Sequence, residues 1–164
     1  MIRFFRGMAR RVRRREAGAA FVELAVSLPV LVVVVLGTAD LGRVFYYTIE
    51  LTNAARAGAQ YASYNSVYAT QTGAITAAAQ NASPDIGTFK ISLSTPPNVC
   101  RCAADNGTTF GDSVVCNTTV CPVNQHMIET VTVTVTRSFT TISRFPGIPS
   151  TFTLTRTATM RVAI

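Results

Sequence analysis

The N-terminal part of the sequence changes from a basic stretch to small residues and then to an apolar segment. This part contains a possible cleavage site and an isolated acidic residue. Gly18 and Ala19 follow the arginine-rich stretch, and Glu23 lies in the apolar sequence after them. Glu23 is the only ionisable residue between Ala17 and Ala39. Carboxylates inside a bilayer are costly, and those that occur are usually functional. A cut between Gly18 and Ala19 would make Glu23 the fifth residue of the new N-terminus.

The positive charge of the chain is concentrated before this point. The formal net charge of the 164 residues is +7. Residues 1–18 hold seven arginines and one glutamate, or +6, whereas residues 19–164 hold eight basic and seven acidic side chains, or +1. Positive charge beside an apolar segment favours the cytoplasmic side, and each basic residue adds about 1 kcal/mol of attraction to anionic headgroups. We therefore expect residues 1–18 to be a cytoplasmic leader and do not expect a nucleic-acid partner.

Residues 19–39 form an apolar segment of membrane-spanning length. About 20 apolar helical residues cross a hydrocarbon core of about 30 Å, and this segment fits that length. A cleavable secretory signal is the alternative, because the stretch from Leu24 to Leu36 also has the length of a signal-peptide core. In that alternative, the small residues that end at Ala39 would be the cleavage site. The anchor is our preferred interpretation.

The helical pattern continues beyond the apolar segment. No proline interrupts residues 40–63, and we expect one helix from Ala19 to about Tyr64, with Pro29 removing one backbone hydrogen bond. Apolar and small residues recur at helical spacing and predict the packed face of this helix. The residues predicted on that face are Leu41, Val44, Phe45, Thr48, Leu51, Thr52, Ala55, Gly58, Ala59 and Ala62.

The remainder of the chain is predicted to be mostly strand. Residues 130–139 and 151–162 alternate threonine with apolar side chains, and residues 89–93 show the same period of two. Such alternation indicates sheets with one buried face. One short helix is expected at residues 73–81. The predicted fold class is α+β, with a long N-terminal helix laid on a small antiparallel sheet in an extracytoplasmic domain of residues 40–164.

Four cysteines lie in a polar loop predicted at residues 96–122, and these are Cys100, Cys102, Cys116 and Cys121. Four thiolates can bind zinc, but the spacing is unusual for a zinc site, and disulfides persist outside the cytoplasm. We expect two disulfides and no metal. Cys100 and Cys102 are not expected to bond to each other, which leaves two possible connectivities. A hairpin favours the nested one, with Cys100 bonded to Cys121 and Cys102 to Cys116.

The sequence offers little for catalysis. His126 is the only histidine and has no neighbouring nucleophile in the sequence. Phosphate-binding glycine loops and histidine or acidic metal-ligand motifs are also missing from the sequence. We therefore expect neither enzymatic activity nor a cofactor.

Several motifs together resemble the TadE-like pseudopilins of tight-adherence (Flp-type) pilus systems. They are residues 18–25, Pro29, residues 41–45 and 51–62, and the C-terminal residues 145–148 and 154–160. The cysteine loop lies outside the resemblance. Major Flp pilins are shorter and carry a tyrosine after the glutamate, where this chain has Leu24 and a further domain. The resemblance therefore indicates a minor pilin or assembly pseudopilin.

The resemblance also implies partners, a location and a role for Glu23. A prepilin peptidase would cut between Gly18 and Ala19 on the cytoplasmic face of the bacterial inner membrane. The single-pass protein would then meet other pilins, pseudopilins and the assembly platform of an adhesive type IV pilus. The Glu23 carboxylate would pair with the N-terminal amine of a neighbouring subunit and set its register. The alternative function is a secreted or membrane-tethered binding domain with a conventional signal sequence.

Overall fold

The computed structural model describes the backbone of residues 2–105, 110–116, 119–142, 147 and 149–163. Side chains are described within those ranges from Gly18 onward, except at residues 95 and 96. The predicted leader, residues 1–18, therefore lies outside the described side chains except for Gly18.

The N-terminal helix, α1 (Ile2–Ala62), is continuous through Pro29. Its described part from Gly18 onward has 45 residues, a length of about 68 Å at 1.5 Å per residue. An 18-residue window of this part has a mean hydropathy of 2.6 and no buried residue. Among the described residues it is the one helix long and apolar enough to cross a membrane. Its second half packs on the remainder of the chain.

Two short helices follow α1. The first, α2 (Ser66–Thr70), begins at Asn65, whose side-chain oxygen accepts hydrogen bonds from the backbone N–H groups of Val67 and Tyr68 at 2.9 and 3.0 Å. This is the usual way in which an asparagine caps a helix. The second, α3 (Thr72–Asn81), confirms the short helix expected from the alanine-rich sequence.

The strands in the described part of the chain form one four-stranded antiparallel sheet. They are β1 (Lys90–Ala104), β2 (Phe110–Val114), β3 (Gln125–Thr140) and β4 (Thr151–Arg161), in the order β2-β1-β3-β4. The α+β fold with a long helix on an antiparallel sheet is confirmed.

The alternating pattern of β3 sorts its side chains between two faces. Val131, Val133 and Val135 are fully buried on the face beneath the helices. The threonines between them face outward, where the hydroxyls of Thr132 and Thr159 lie 2.9 Å apart across the β3–β4 pair. Burial of the valine side chains stabilises the sheet by about 1.5–3 kcal/mol each.

The helix covers the valine face with mostly small residues. The contributions of α1 to the core are Leu51, Ala54, Ala55, Ala59 and Ala62, all at most 1% exposed. Small side chains let the helix backbone approach the sheet closely. The core also contains Ala69, Ile75, Ile86, Phe139, Leu154 and Val162.

The predicted packed face of α1 is right in its second half and partly wrong in its first, where Val44 packs against the core as predicted but Leu41 and Phe45 do not. Leu41 and Phe45 are 55% and 59% exposed, whereas Asp40 is buried and Tyr47 packs edge-on against Phe139 at 5.7 Å between ring centroids. The hydrophobic pattern misled the prediction here because the apolar character of the preceding segment continues on the outer face of the helix.

Candidate processing and assembly site

Gly18 and Glu23 lie on the part of α1 that makes no contact with the domain. Both are exposed. A Cβ atom added at Gly18 would meet no atom within 4 Å, so the fold itself does not require glycine at this position. Glu23 is four residues after Ala19, and side chains at that spacing share one face of a helix. About 6 Å of helix rise separates them.

The surroundings of Glu23 are apolar. Its neighbours along a shallow groove on the helix are Val22, Val26, Ser27, Val30 and Leu31. The hydroxyl of Ser27 donates to the backbone carbonyl of Glu23 at 2.9 Å, so it does not serve the carboxylate. Glu23 thus has no cationic partner among the described residues.

Asp40 and Arg43 connect α1 to the end of β3 by hydrogen bonds, at the position where the apolar segment ends. The Asp40 carboxylate accepts a hydrogen bond from the backbone N–H of Ile142 at 2.9 Å and pairs with Arg43 at 3.2 Å. The Arg43 guanidinium also lies 5.0 Å from the centroid of the Phe139 ring. The spacing of Asp40 and Arg43, three residues apart on a helix, allows such a pair, whereas the contact with the chain after β3 joins residues 102 positions apart.

The four cysteines form two disulfides, but the predicted nested connectivity is wrong. Cys100 is bonded to Cys116 and Cys102 to Cys121, with Cα–Cα distances of 5.2 and 5.5 Å. The bonds are therefore crossed in the sequence. No thiol is left free.

The sheet order explains the crossed bonds. Cys100 lies opposite Val114 of β2 on one side of β1, whereas β3 begins at Gln125 opposite Ala104 on the other side. The connection from β2 to β3 must therefore run in the same direction as β1, from the level of Cys100 toward that of Ala104. It meets Cys100 first and Cys102 second. The hairpin assumed for the nested connectivity would run in the opposite direction.

A buried carboxylate that the sequence analysis did not single out joins three elements. Glu129 of β3 is 3% exposed. Its two oxygens accept hydrogen bonds from the Ser66 hydroxyl at 2.6 Å and from the Asn98 side-chain amide at 2.8 Å. The sequence contained one indication of this role. Glu129 continues the alternation of Val131, Val133 and Val135, and this alternation indicates the buried face of β3. Glu129 is structural here, since both oxygens are used within the fold.

Two features of the described part of the chain bear on catalysis and metal binding, the grouping of potential metal ligands and the surroundings of His126. No group of three or more histidine, cysteine, aspartate or glutamate side chains is placed to hold a metal ion in that part of the chain. His126 lies 3.1 Å from Asp105, with both side chains largely exposed. His126 is the second residue of β3. No nucleophilic side chain contacts this pair among the described residues.

Comparison with known proteins associates the N-terminal part of the chain with one family. The model of the family described as TadE-like protein matches residues 18–60. The match begins at Gly18 and covers Glu23, Asp40 and most of the described part of α1, so it confirms the resemblance seen in the sequence. No curated protein and no solved structure matches the chain.

Proposed function

We propose that this chain is a minor pilin or pseudopilin that takes part in assembly of an adhesive tight-adherence (Flp-type IV) pilus. The observation that supports the proposal best is the TadE-like match to residues 18–60. The matched region contains an exposed apolar segment of membrane-spanning length whose one carboxylate, Glu23, has no cationic partner among the described residues.

Maturation in this proposal removes residues 1–18. A prepilin peptidase cuts between Gly18 and Ala19 on the cytoplasmic side of the inner membrane. Residues 19–39 then span that membrane, and residues 40–164 form the periplasmic or extracellular domain. The open surroundings of Gly18 support this role, because a protease must reach the bond and the domain does not cover it.

Glu23 has a role between subunits in the same proposal. An unpaired carboxylate in lipid carries a desolvation cost of several kcal/mol, which a close cation can offset. No cation of the described chain lies near Glu23. The α-amine that cleavage creates at Ala19 of an adjacent pilin subunit is the partner we propose. Pairing of these two groups sets the axial register of neighbouring helices.

Processing tests the proposal directly. The full chain would be produced with and without a prepilin peptidase, and its mass and N-terminal sequence would be determined. We expect a mature N-terminus at Ala19 only when the peptidase is present. Gly18→Val should block the cut because the added side chain occupies the position before the scissile bond.

The matched control is Gly37→Val, since Gly37 is also exposed and has open space around it. This variant should be processed normally. A mature chain that begins at Asp40, or one that retains residues 1–18 with active peptidase, would favour the secreted or tethered binding domain instead.

A further inference from the structure

The domain has two long sides of opposite charge, one on each side of α1. The acidic side contains Glu50 and Asp85, and the basic side contains Arg56 and Arg156. None of these four side chains forms an ion pair among the described residues. Arg137 packs on an aromatic ring and pairs with neither acid. The four charges are exposed or half-buried, so a neighbouring molecule can reach them.

The acidic side lies where α1 meets a short 3-10 helix (Pro84–Ile86). The buried Ser83 hydroxyl donates to the backbone carbonyl of Glu50 at 2.8 Å, which brings Asp85, two residues later, close to the same turn of α1. Two effects on Tyr46 agree with this placement: desolvation raises the pKa of its phenol, and the carboxylates of Glu50 and Asp85 raise it further. The two acids therefore share one side of α1.

Arg156 lies on the other side, at the free edge of the sheet. β4 is an edge strand that pairs only with β3. Arg156 lies opposite the buried Val135, and residues directly opposite each other in two paired strands point to the same face. The Arg156 guanidinium is therefore on the helix side of the sheet. It donates to the Thr155 carbonyl at 2.7 Å and remains exposed.

The packing and rotation of α1 separate the two sides. α1 packs on β3, β4 and α3, and α3 also contacts β1, so the side of α1 away from α3 faces the β4 edge. Successive residues of a helix are rotated by about 100°. Measured from the fully buried Leu51, Glu50 lies about 100° in one direction and Arg56 about 140° in the other. Arg56 is thus on the side of α1 that faces the β4 edge.

The strand β4 runs in the same direction as α1. Near its start, the Arg43 guanidinium donates to the carbonyl of Thr140, which is paired with Thr151. After its end, the backbone N–H of Ala163 donates to the carbonyl of Ser63 at 2.9 Å. Positions along the helix and along the strand can therefore be compared directly.

The charges of the two sides lie at nearly the same height above the predicted membrane segment. Glu50 is ten residues beyond Asp40, or about 15 Å along the helix. Arg156 is five residues beyond Thr151, or about 17 Å along the strand. Two copies that stand side by side in one membrane would bring these charges together without a vertical shift.

Apolar side chains lie closer to the predicted membrane segment on both sides. Leu41 and Phe45 are 55% and 59% exposed, and the helical rotation places them on the basic side. Tyr46 is 46% exposed beside the two acids. Exposed apolar side chains that cluster on a surface are typical of protein interfaces. The two sides therefore match in apolar contacts as well as in charge.

We propose that the acidic side of one copy of this chain binds the basic side of the next copy. A two-fold axis along the membrane normal would place identical sides, and so like charges, against each other. The head-to-tail contact instead pairs Glu50 and Asp85 with Arg156 and Arg56. Such a heterologous contact repeats from copy to copy and builds rings or helical filaments. The inference rests on the proposed function for the parallel orientation of anchored copies.

Zero-length crosslinking tests this contact. A carbodiimide joins a carboxylate to an amine that it touches, and Arg156→Lys supplies an amine without changing the charge. Lys90 is the only lysine of the wild type, which gives the background. In phosphatidylcholine vesicles, we expect Arg156→Lys to add dimers, trimers and longer products. Their peptides should join residue 156 to Glu50 or Asp85.

Mixing isotope-labelled and unlabelled chains shows whether the crosslinks join different copies. We expect peptide pairs that contain one labelled and one unlabelled member. The matched control is Arg101→Lys, at an exposed position of β1, which should add no crosslink to Glu50 or Asp85.

Charge reversal provides a second test, by sedimentation velocity of the full chain in neutral-detergent micelles at low ionic strength. One form carries Arg56→Glu and Arg156→Glu, and the other carries Glu50→Lys and Asp85→Lys. Each form alone should lose oligomers by about tenfold, because like charges then face each other. An equimolar mixture should regain them, which also shows that both forms are folded. Arg101→Glu with Asp112→Lys is the control and should associate as the wild type does.

Three results would overturn the contact. They are crosslinks that stop at dimers, crosslinked peptides that lack residue 156, and a mixture of the two reversed forms that stays monomeric. Neither measurement needs a prepilin peptidase, cleavage at Gly18 or assembled pili. Failure of this contact is therefore distinct from failure of the pilus proposal, which the processing experiment tests.

Discussion

The Asp40 carboxylate accepts a hydrogen bond from the backbone N–H of Ile142 at 2.9 Å, although the residues are 102 positions apart. Asp40 is the first residue after the apolar segment of residues 19–39 and is only 7% exposed. Arg43 neutralises it at 3.2 Å. This contact holds the domain against the helix at the level where the helix leaves the predicted membrane segment.

Asp40→Ala should destabilise the domain. The substitution leaves the N–H of Ile142 without its acceptor and removes the carboxylate that pairs with Arg43, so we expect a loss of about 1–3 kcal/mol in the free energy of unfolding. Urea unfolding of the full chain in micelles would measure it. The control is Asp112→Ala at an exposed position of β2, expected within about 0.5 kcal/mol of wild type. Equal stability of the two variants would contradict a structural role for Asp40.

Gly58 lies where α1 approaches α3 and β3 closely. A Cβ atom there would lie 3.3 Å from Ala79 Cβ, the Ile75 carbonyl oxygen and Val133 Cγ1. Gly58→Leu should therefore cost about 1–3 kcal/mol through overpacking.

Gly42 provides the matched control for this substitution, because a Cβ atom there meets nothing within 4 Å. Gly42→Leu should be neutral or stabilising by up to about 1 kcal/mol, since leucine is the better helix former. The two variants would be compared by thermal unfolding. A larger loss at Gly42 than at Gly58 would be inconsistent with the close approach.

The crossed disulfides predict specific peptides after non-reducing digestion. Peptides with Cys100 should be joined to those with Cys116, and peptides with Cys102 to those with Cys121. The double variant Cys102→Ser with Cys121→Ser should lose about 3 kcal/mol, because the bond closes a loop of 19 residues. Recovery of a peptide pair that joins Cys100 to Cys121 would restore the nested arrangement and contradict the fold of this loop.

Glu129→Ala should be among the most destabilising single substitutions of an acid in the domain. It leaves the Ser66 hydroxyl and the Asn98 amide without their acceptors, at an expected cost of about 2–4 kcal/mol. The comparison is Glu50→Ala, a half-buried acid on α1, for which we expect a loss below about 1 kcal/mol. Chemical denaturation at neutral pH would measure both, and similar losses would argue against the proposed contribution of the Glu129 hydrogen bonds.

Glu23→Gln should separate processing from assembly. Cleavage after Gly18 should proceed, since the bond is unchanged, but assembly should fall because the new amine of the neighbour has no carboxylate partner. Breaking a buried ion pair on one side costs about 3–5 kcal/mol. Mass spectrometry would report cleavage, and electron microscopy would report pili per cell. Ser27→Ala on the same helix face is the control, and normal pilus numbers in Glu23→Gln would rule out the proposed pairing.

Much of the architecture can be predicted from the sequence because its signals are local. The alternation of valine and threonine predicted β3 and its buried face, and the apolar run after Gly18 predicted a membrane-length helix that continues into the domain. Each of these patterns spans adjacent residues. Glu23 could also be recognised from the sequence alone, because it is the only ionisable residue between Ala17 and Ala39.

The tertiary structure decided which distant residues meet. It placed β2 and β3 on opposite sides of β1, and that order alone crosses the disulfides. It also turned Leu41 and Phe45 outward, buried Asp40 against Ile142, and enclosed Glu129 between α2 and β1. Sequence periodicity states which residues share a face of one element, but the orientation of that face depends on packing energies summed over partners far away in the chain. Those partners are known only when the fold is complete.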